Sequence, residues 1–383
     1  MYIIILLKNH RNYFMDLQNL NMFFPDMEEL PEFPIVPIEQ KILRDGILVR
    51  SPNWLGDAVM TFPALRQLKL MLPPTCGLMV LCPAGLAPLF RSLDCVDQVL
   101  TLKDPHAFMS AEERLEVKEH RPGIAVFFNN SLRDVLSLRR CGIKYMYGAA
   151  ARFRSIFLKR AYSFPKRRDF VLNHPHQALK YLAMTQASGA PEWDGVMPVM
   201  TPDPLHPPCD HVRSILEREG DLLLLAPGAA YGDAKRLDGE KFCAVASEWI
   251  QNGGFVIAVG SRSEGAQTSD ALAGLPEQNI YDLAGRTTLE ELILLIQRSK
   301  CCLANDSGVM HLAAAAGAKG VVVFGSTDPV ATGPLSKKWK VLYRQQKCSP
   351  CFKRSCPLGH RQCFREIGAD EILEAVKEIR SLA

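Results

Sequence analysis

Four loops in the sequence hold residues whose types and spacing can do chemistry. The first reads Ser51-Pro52-Asn53-Trp54-Leu55-Gly56-Asp57 and follows the apolar run GILVR. Gly56 permits a close backbone approach, and Asp57 then presents one carboxylate near a helix start. A carboxylate there can take a proton from a bound hydroxyl, or it can simply cap the helix. The second loop, APGAAYGDAKR, brings small residues and the cations Lys235 and Arg236 to the end of a strand. Such a loop can approach and neutralise a phosphate, but it lacks the G-K-[ST] ending of a Walker A motif. It also reads as an ordinary surface loop. The third is Asn305-Asp306-Ser307-Gly308-Val309-Met310-His311. Its helix start is an anion site by geometry and dipole, with His311 one turn in. A helical histidine of this kind is as readily a packed core residue. The fourth, Gly325-Ser326-Thr327-Asp328-Pro329, is a turn with hydroxyls and carries little by itself.

Two further stretches are conspicuous. Residues 152–168, RFRSIFLKRAYSFPKRR, interleave seven cations with Phe153, Phe157, Tyr162 and Phe164, and no acid follows until Asp169. The stretch reads either as a solvated basic face or as an anchor for an anionic, lipid-linked ligand. Each Lys or Arg near an anionic leaflet contributes roughly 1 kcal/mol. Residues 348–363, CSPCFKRSCPLGHRQC, place Cys348, Cys351, Cys356 and Cys363 close together with His360. Four thiolates can hold zinc. Reduced structural thiols or local disulfides fit the spacing as well, and the segment receives no catalytic role.

The elements that must position these loops alternate. GILVRS, GLMVLCP, VDQVLTL and GIAVFFNN read as buried strands, with helical spacing between them. Pro63 must kink or restart the helix that begins after the first loop. The proline-rich run TPDPLHPPCD, residues 201–210, reads as a linker. The alternation resumes with DLLLLAPGAA, GFVIAVGS, CCLANDSG and GVVVFGSTDP, and EILEAVKEIRSLA closes the chain as an amphipathic helix. Short apolar strands separated by helices predict two α/β, doubly wound domains with parallel sheets and a cleft between them. The predicted division is an N-terminal extension over 1–44, a first domain over 45–205 and a second over 206–383.

With 383 residues, 48% hydrophobic and 22% charged, the chain is long enough for two domains with real cores. Its net charge of +4 gives no ground for a nucleic-acid partner. No apolar run has transmembrane length, and MYIIILLKNHRNYF lacks the layout of a signal peptide. These features point to a cytoplasmic enzyme.

Taken in order, ILVRSPNWLGDAVMTFPALRQLK, APGAAYGDAKR, DLAGRTTLEEL, ANDSGVMHLAAAAG and VVVFGSTDP resemble the bacterial ADP-heptose:lipopolysaccharide heptosyltransferases, glycosyltransferase family nine, and most of all the heptosyltransferase II group. The pieces span most of residues 45–330. The resemblance implies a GT-B fold of two Rossmann-like domains. It implies Asp57 as catalytic base and Lys235 at the donor phosphates. Asp306, Ser307, Gly308 and His311 match the element that binds the nucleotide-sugar diphosphate, and Glu264 is the counterpart of a ribose-binding acid.

The implied reaction is an inverting, metal-independent transfer from ADP-heptose to the phosphorylated lipid A core, with no cofactor. Asn53, Arg154, Lys159 and Arg160 are then the candidate acceptor-binding residues. The implied location is peripheral, at the inner face of the inner membrane. Alternatives on a similar fold are another nucleotide-sugar donor, a nucleotide-sugar 2-epimerase, or a binding protein without catalysis.

Overall fold

Ile47, Leu48, Val49 and Arg50 are buried on both faces, as a central strand of a parallel sheet must be. In the computed structural model, which describes residues 20–21, 30, 32–164 and 176–381, this strand organises the first domain. We number it β2, after a short β1 at Leu20–Asn21. β3 (Leu78–Pro83), β4 (Gln98–Leu102), β5 (Ile124–Phe127), β6 (Tyr145–Ala149) and β7 (Arg160–Tyr162) complete a parallel six-stranded sheet in the order β4-β3-β2-β5-β6-β7.

The second domain repeats the plan. β8 (Leu222–Ala226), β9 (Phe255–Ala258), β10 (Ile280–Asp282), β11 (Cys301–Asn305), β12 (Gly320–Phe324) and β13 (Trp339–Tyr343) pair in parallel in the order β13-β12-β11-β8-β9-β10. The closing helix Ala369–Ser381 packs on this domain, burying Ile372, Ala375, Val376 and Ile379.

Strand order reverses at two places, between β2 and β5 and between β8 and β11. Crevices open at such switch points, beyond the carboxyl ends of the strands. The loops that leave β2, β8 and β11 are the first three loops singled out in the sequence. The fold therefore delivers them to facing edges.

Pro63 acts as a restart. A helix over Leu55–Val59 ends, and a second over Phe62–Met71 begins with Pro63 in its first turn. The predicted N-terminal extension does not stand apart in the part that is described. Val36 and Ile38 donate backbone hydrogen bonds to Ala187 and Ser188 of the first domain, and Phe33 packs edge-on against Tyr162. β1 adds antiparallel to β13, at the edge of the second domain's sheet. Among the described residues no helix is long and apolar enough to cross a membrane.

Candidate active site

The two domains touch where the helix Leu55–Val59 packs against the helix Gly308–Ala315. Gly56 is what allows this approach: a Cβ on it would lie 2.8 Å from His311 Cδ2. Around this contact lies a cleft of about 760 Å³ lined by Asp57, Lys235, Glu264, Asp306, Ser307, Gly308 and His311, among others. Every predicted catalytic and donor-side residue is therefore in one cavity.

Asp57 sits in the first turn of its helix and is half-buried. Its Oδ1 accepts from Gln177 Nε2 at 3.0 Å. Burial raises the pKa of this carboxyl above its ordinary value; Lys235 and the Gln177 hydrogen bond oppose the rise. A carboxyl whose pKa is raised is better matched to taking a proton near neutrality.

On the facing wall, Lys235 Nζ lies 2.6 Å from Asp306 Oδ2. The same oxygen accepts from Thr327 Oγ1 at 2.5 Å. Asp306 is buried, so its charge is met by one cation and one hydroxyl, as a buried carboxylate requires. Ser307 caps the helix Gly308–Ala315, its Oγ accepting from Met310 N–H. Next to it, Asn305 ties two loops together by accepting from Leu237 N–H and donating to the Pro227 carbonyl.

His311 is buried, with Nε2 4.0 Å from Asp306 Oδ1. Desolvation lowers its pKa to about 4, so the ring is neutral at pH 7. Glu264 closes a capping box at Ser261, accepting from its backbone N–H at 2.7 Å and its hydroxyl at 2.8 Å through Oε2.

A second contact links the domains. His176 Nδ1 accepts from Ala178 N–H at 3.1 Å, which leaves the proton on Nε2, 3.0 Å from the Gly333 carbonyl. Burial holds this ring's pKa down at about 4 as well.

Three of the four acceptor-side candidates are held by other parts of the chain. Arg154 is buried and cannot reach a ligand from a solvated face. It donates to the carbonyls of Ala149 and Asn129 and toward Asn130 Oδ1. Arg160 donates to the Ala187 and Pro34 carbonyls and stacks on Tyr162. Asn53 accepts from Arg50 Nη2 at 2.8 Å and braces the loop that leads to Asp57. None of these three lines the cleft. Only Lys159 of the four is exposed. Arg236 is likewise committed, to the Ala229 carbonyl. Lys166, Arg167 and Arg168 lie outside the described residues.

Gln177 and His176 escape a reading of the sequence, and the bond from Thr327 to Asp306 is not foreseen there. Thr327 belongs to a turn whose hydroxyls are visible in the sequence, whereas Gln177 and His176 carry no local signal.

Cys348, Cys351, Cys356 and Cys363 have free thiols and line a small cavity of about 20 Å³ with His360. Among the described residues no group of three or more His, Cys, Asp or Glu side chains is arranged to hold a metal ion.

Two doubly wound domains whose switch-point loops meet at one cleft define a protein of the GT-B class. Residues 117–362 match the sequence profile described as glycosyltransferase family 9 (heptosyltransferase), and the chain belongs to that family of glycosyltransferases. The lipooligosaccharide heptosyltransferase 2 of Campylobacter jejuni is 28% identical over 349 residues, covering 87% of this chain and 98% of the relative. Two solved structures share the fold. The ADP-heptose lipopolysaccharide heptosyltransferase II of E. coli has a TM-score of 0.71 at 23% identity, with 87% of this chain and 98% of that one covered. A family 9 glycosyltransferase of Veillonella parvula has a TM-score of 0.74 at 17% identity, with 90% and 99% covered.

Proposed function

We propose that this glycosyltransferase moves heptose from ADP-heptose to the inner core of lipopolysaccharide, with inversion at the anomeric carbon and without a metal. The observation that carries the reading is Asp57 in the same cleft as the Lys235–Asp306 pair. Similarity to heptosyltransferase 2 over nearly the whole chain supports the choice of sugar and acceptor.

In this reading the acceptor hydroxyl attacks the anomeric carbon while its proton passes to Asp57. The bond from that carbon to the diphosphate oxygen breaks, and ADP leaves with the electron pair. Lys235 and the first-turn amides of the helix Gly308–Ala315 face the charge that develops there. Asp306 and Thr327 hold Lys235 in position and limit its swing. Glu264 receives the ribose hydroxyls. Neutral His311 packs the domain contact and keeps the Lys235–Asp306 pair dry.

The acceptor is lipid-linked, and the chain meets it at a membrane surface. The loop leaving the carboxyl end of β6 supports this. Phe153 is 93% exposed and Ile156 82%, next to the exposed cations Arg152 and Lys159. Large apolar side chains held out among cations suit the interface of an anionic leaflet. The protein then visits the inner face of the inner membrane from the cytoplasm.

The test is turnover with purified protein, ADP-heptose and a heptose-deficient core acceptor, with and without EDTA. EDTA-resistant transfer with inverted product supports the proposal. Consumption of a different nucleotide sugar, with ADP-heptose untouched, overturns the choice of donor.

A further inference from the structure

Residues 348–363 lie against the loop that carries Lys235. The Arg354 carbonyl accepts from Ala234 N–H at 3.0 Å, and the Phe352 carbonyl accepts from Tyr231 Oη at 2.9 Å. Arg361 donates to Asp238 Oδ1 at 2.8 Å and to the Arg236 carbonyl. Gly232 has φ +153°, and a Cβ there would lie 2.2 Å from the Arg354 carbonyl oxygen, so the two loops meet backbone to backbone. The four thiols line the small cavity at this junction, along with Ala234 and Ser326.

One side chain of the segment reaches the cleft. Arg354 lines it together with Asp57 and Lys235. Its guanidinium carbon stands 5.4 Å from the centre of the Tyr231 ring, and Lys235 Nζ stands 5.2 Å from the same ring. The two cations differ in their commitments. Lys235 is already paired with Asp306 at 2.6 Å. Arg354 is exposed, and among the described residues no carboxylate pairs with it. An incoming diphosphate meets a lysine that shares its charge with Asp306 and one uncompensated guanidinium. Guanidinium is also the cation whose planar fork fits two phosphate oxygens at once.

We propose that Arg354 is a diphosphate-binding residue of the donor site, carried into the cleft by the cysteine-cornered segment 348–363. The inference rests on the nucleotide-sugar reading above. The Cys-rich segment then serves to hold one arginine against the loop that positions the other cation.

Calorimetric titration of the full chain tests it, using ADP, inorganic pyrophosphate and adenosine as probes on wild type, Arg354→Ala and Arg354→Lys. A charge-assisted phosphate contact predicts that Arg354→Ala weakens ADP and pyrophosphate about tenfold or more. Adenosine binding stays within about twofold, since it carries no phosphate. Arg354→Lys recovers part of the loss, because charge remains and the fork does not. ADP affinity unchanged in Arg354→Ala overturns the proposal. So does an equal loss for adenosine, which would mean the loop had disturbed the nucleoside pocket. If wild type prefers another nucleoside diphosphate, the adenine assignment fails separately. The loss for that diphosphate, compared with its nucleoside, then decides Arg354 by the same criterion.

Discussion

Gln177 donates its side-chain amide to Asp57 Oδ1 at 3.0 Å, joining residues 120 positions apart in the chain. The bond stabilises the ionised carboxylate and so opposes the rise in pKa that burial causes. Gln177→Leu removes that opposition. The acid limb of the pH dependence of kcat/KM then moves to higher pH, with the plateau rate less affected than the limb. A limb that stays in place in the variant means that Asp57 is not the group being titrated.

The brace behind the Asp57 loop is a buried ion pair. Arg50 Nε lies 2.7 Å from Asp134 Oδ2, and both side chains are nearly inaccessible. Asn129 Nδ2 donates to the same oxygen. Asp134→Ala leaves an unpaired buried guanidinium and costs about 3–5 kcal/mol, read by urea unfolding. Replacing both partners with apolar residues, Arg50→Met with Asp134→Leu, is far milder than the single change. A loss below about 1 kcal/mol for Asp134→Ala contradicts this account of the brace.

Acid weakens the fold through two histidines. His176 and His311 are held neutral by burial, with pKa values of about 4 against an ordinary 6.5. Below pH 6.5 the unfolded chain binds protons that the native chain does not, so stability falls from there toward pH 4. Each ring accounts for about 3 kcal/mol over the full window. Protonating His176 also turns Nδ1 from an acceptor into a donor facing the Ala178 N–H. The His176→Gln variant therefore shows a shallower slope of stability against pH between 6.5 and 4. An unchanged slope means that His176 is not among the responsible groups.

Much of the cleft was legible because its residues sit in the segments that leave the strands. Asp57, Lys235, Asp306 and Ser307 each follow a buried apolar run, and parallel sheets present such positions to a crevice. What was not legible depends on distant partners. Gln177 is an ordinary polar residue until Asp57 is brought to it, and the Thr327 turn, visible for its hydroxyls, gains its role only when Asp306 is brought to it. Arg154 misleads for the opposite reason. Its place in a basic run suggests a solvated face, but the carbonyls of Asn129 and Ala149 capture it in the interior. β7 at Arg160–Tyr162 is hidden inside the same run. β10 at Ile280–Asp282 is short and only half-buried, so it lacks the continuous apolar signal of its neighbours.

The exposed pair Phe153 and Ile156 gives a separable prediction about the membrane. Phe153→Asp with Ile156→Asp lowers binding to vesicles containing anionic phospholipid, measured by co-sedimentation. Turnover of a soluble, delipidated acceptor is retained, since neither residue lines the cleft. Unchanged vesicle binding in the double variant contradicts the docking assignment.

The central claim is that Asp57 is the base, and its removal is the most direct test. The steady-state rate of heptose transfer is compared for wild type, Asp57→Asn and Asp57→Ala, with thermal unfolding recorded on the same samples. Loss of the base lowers kcat by about 10²- to 10⁴-fold in both variants. Because burial raises the Asp57 pKa, its carboxyl costs folding stability as pH rises from the ordinary value of 3.8 toward the raised one, and the cost persists at higher pH; Asp57→Asn therefore unfolds at the same temperature as wild type or higher at about pH 7. A rate within a few fold of wild type in a folded Asp57→Asn variant would contradict the account, leaving Asp57 as a helix-end residue and the base to be found elsewhere in the cleft.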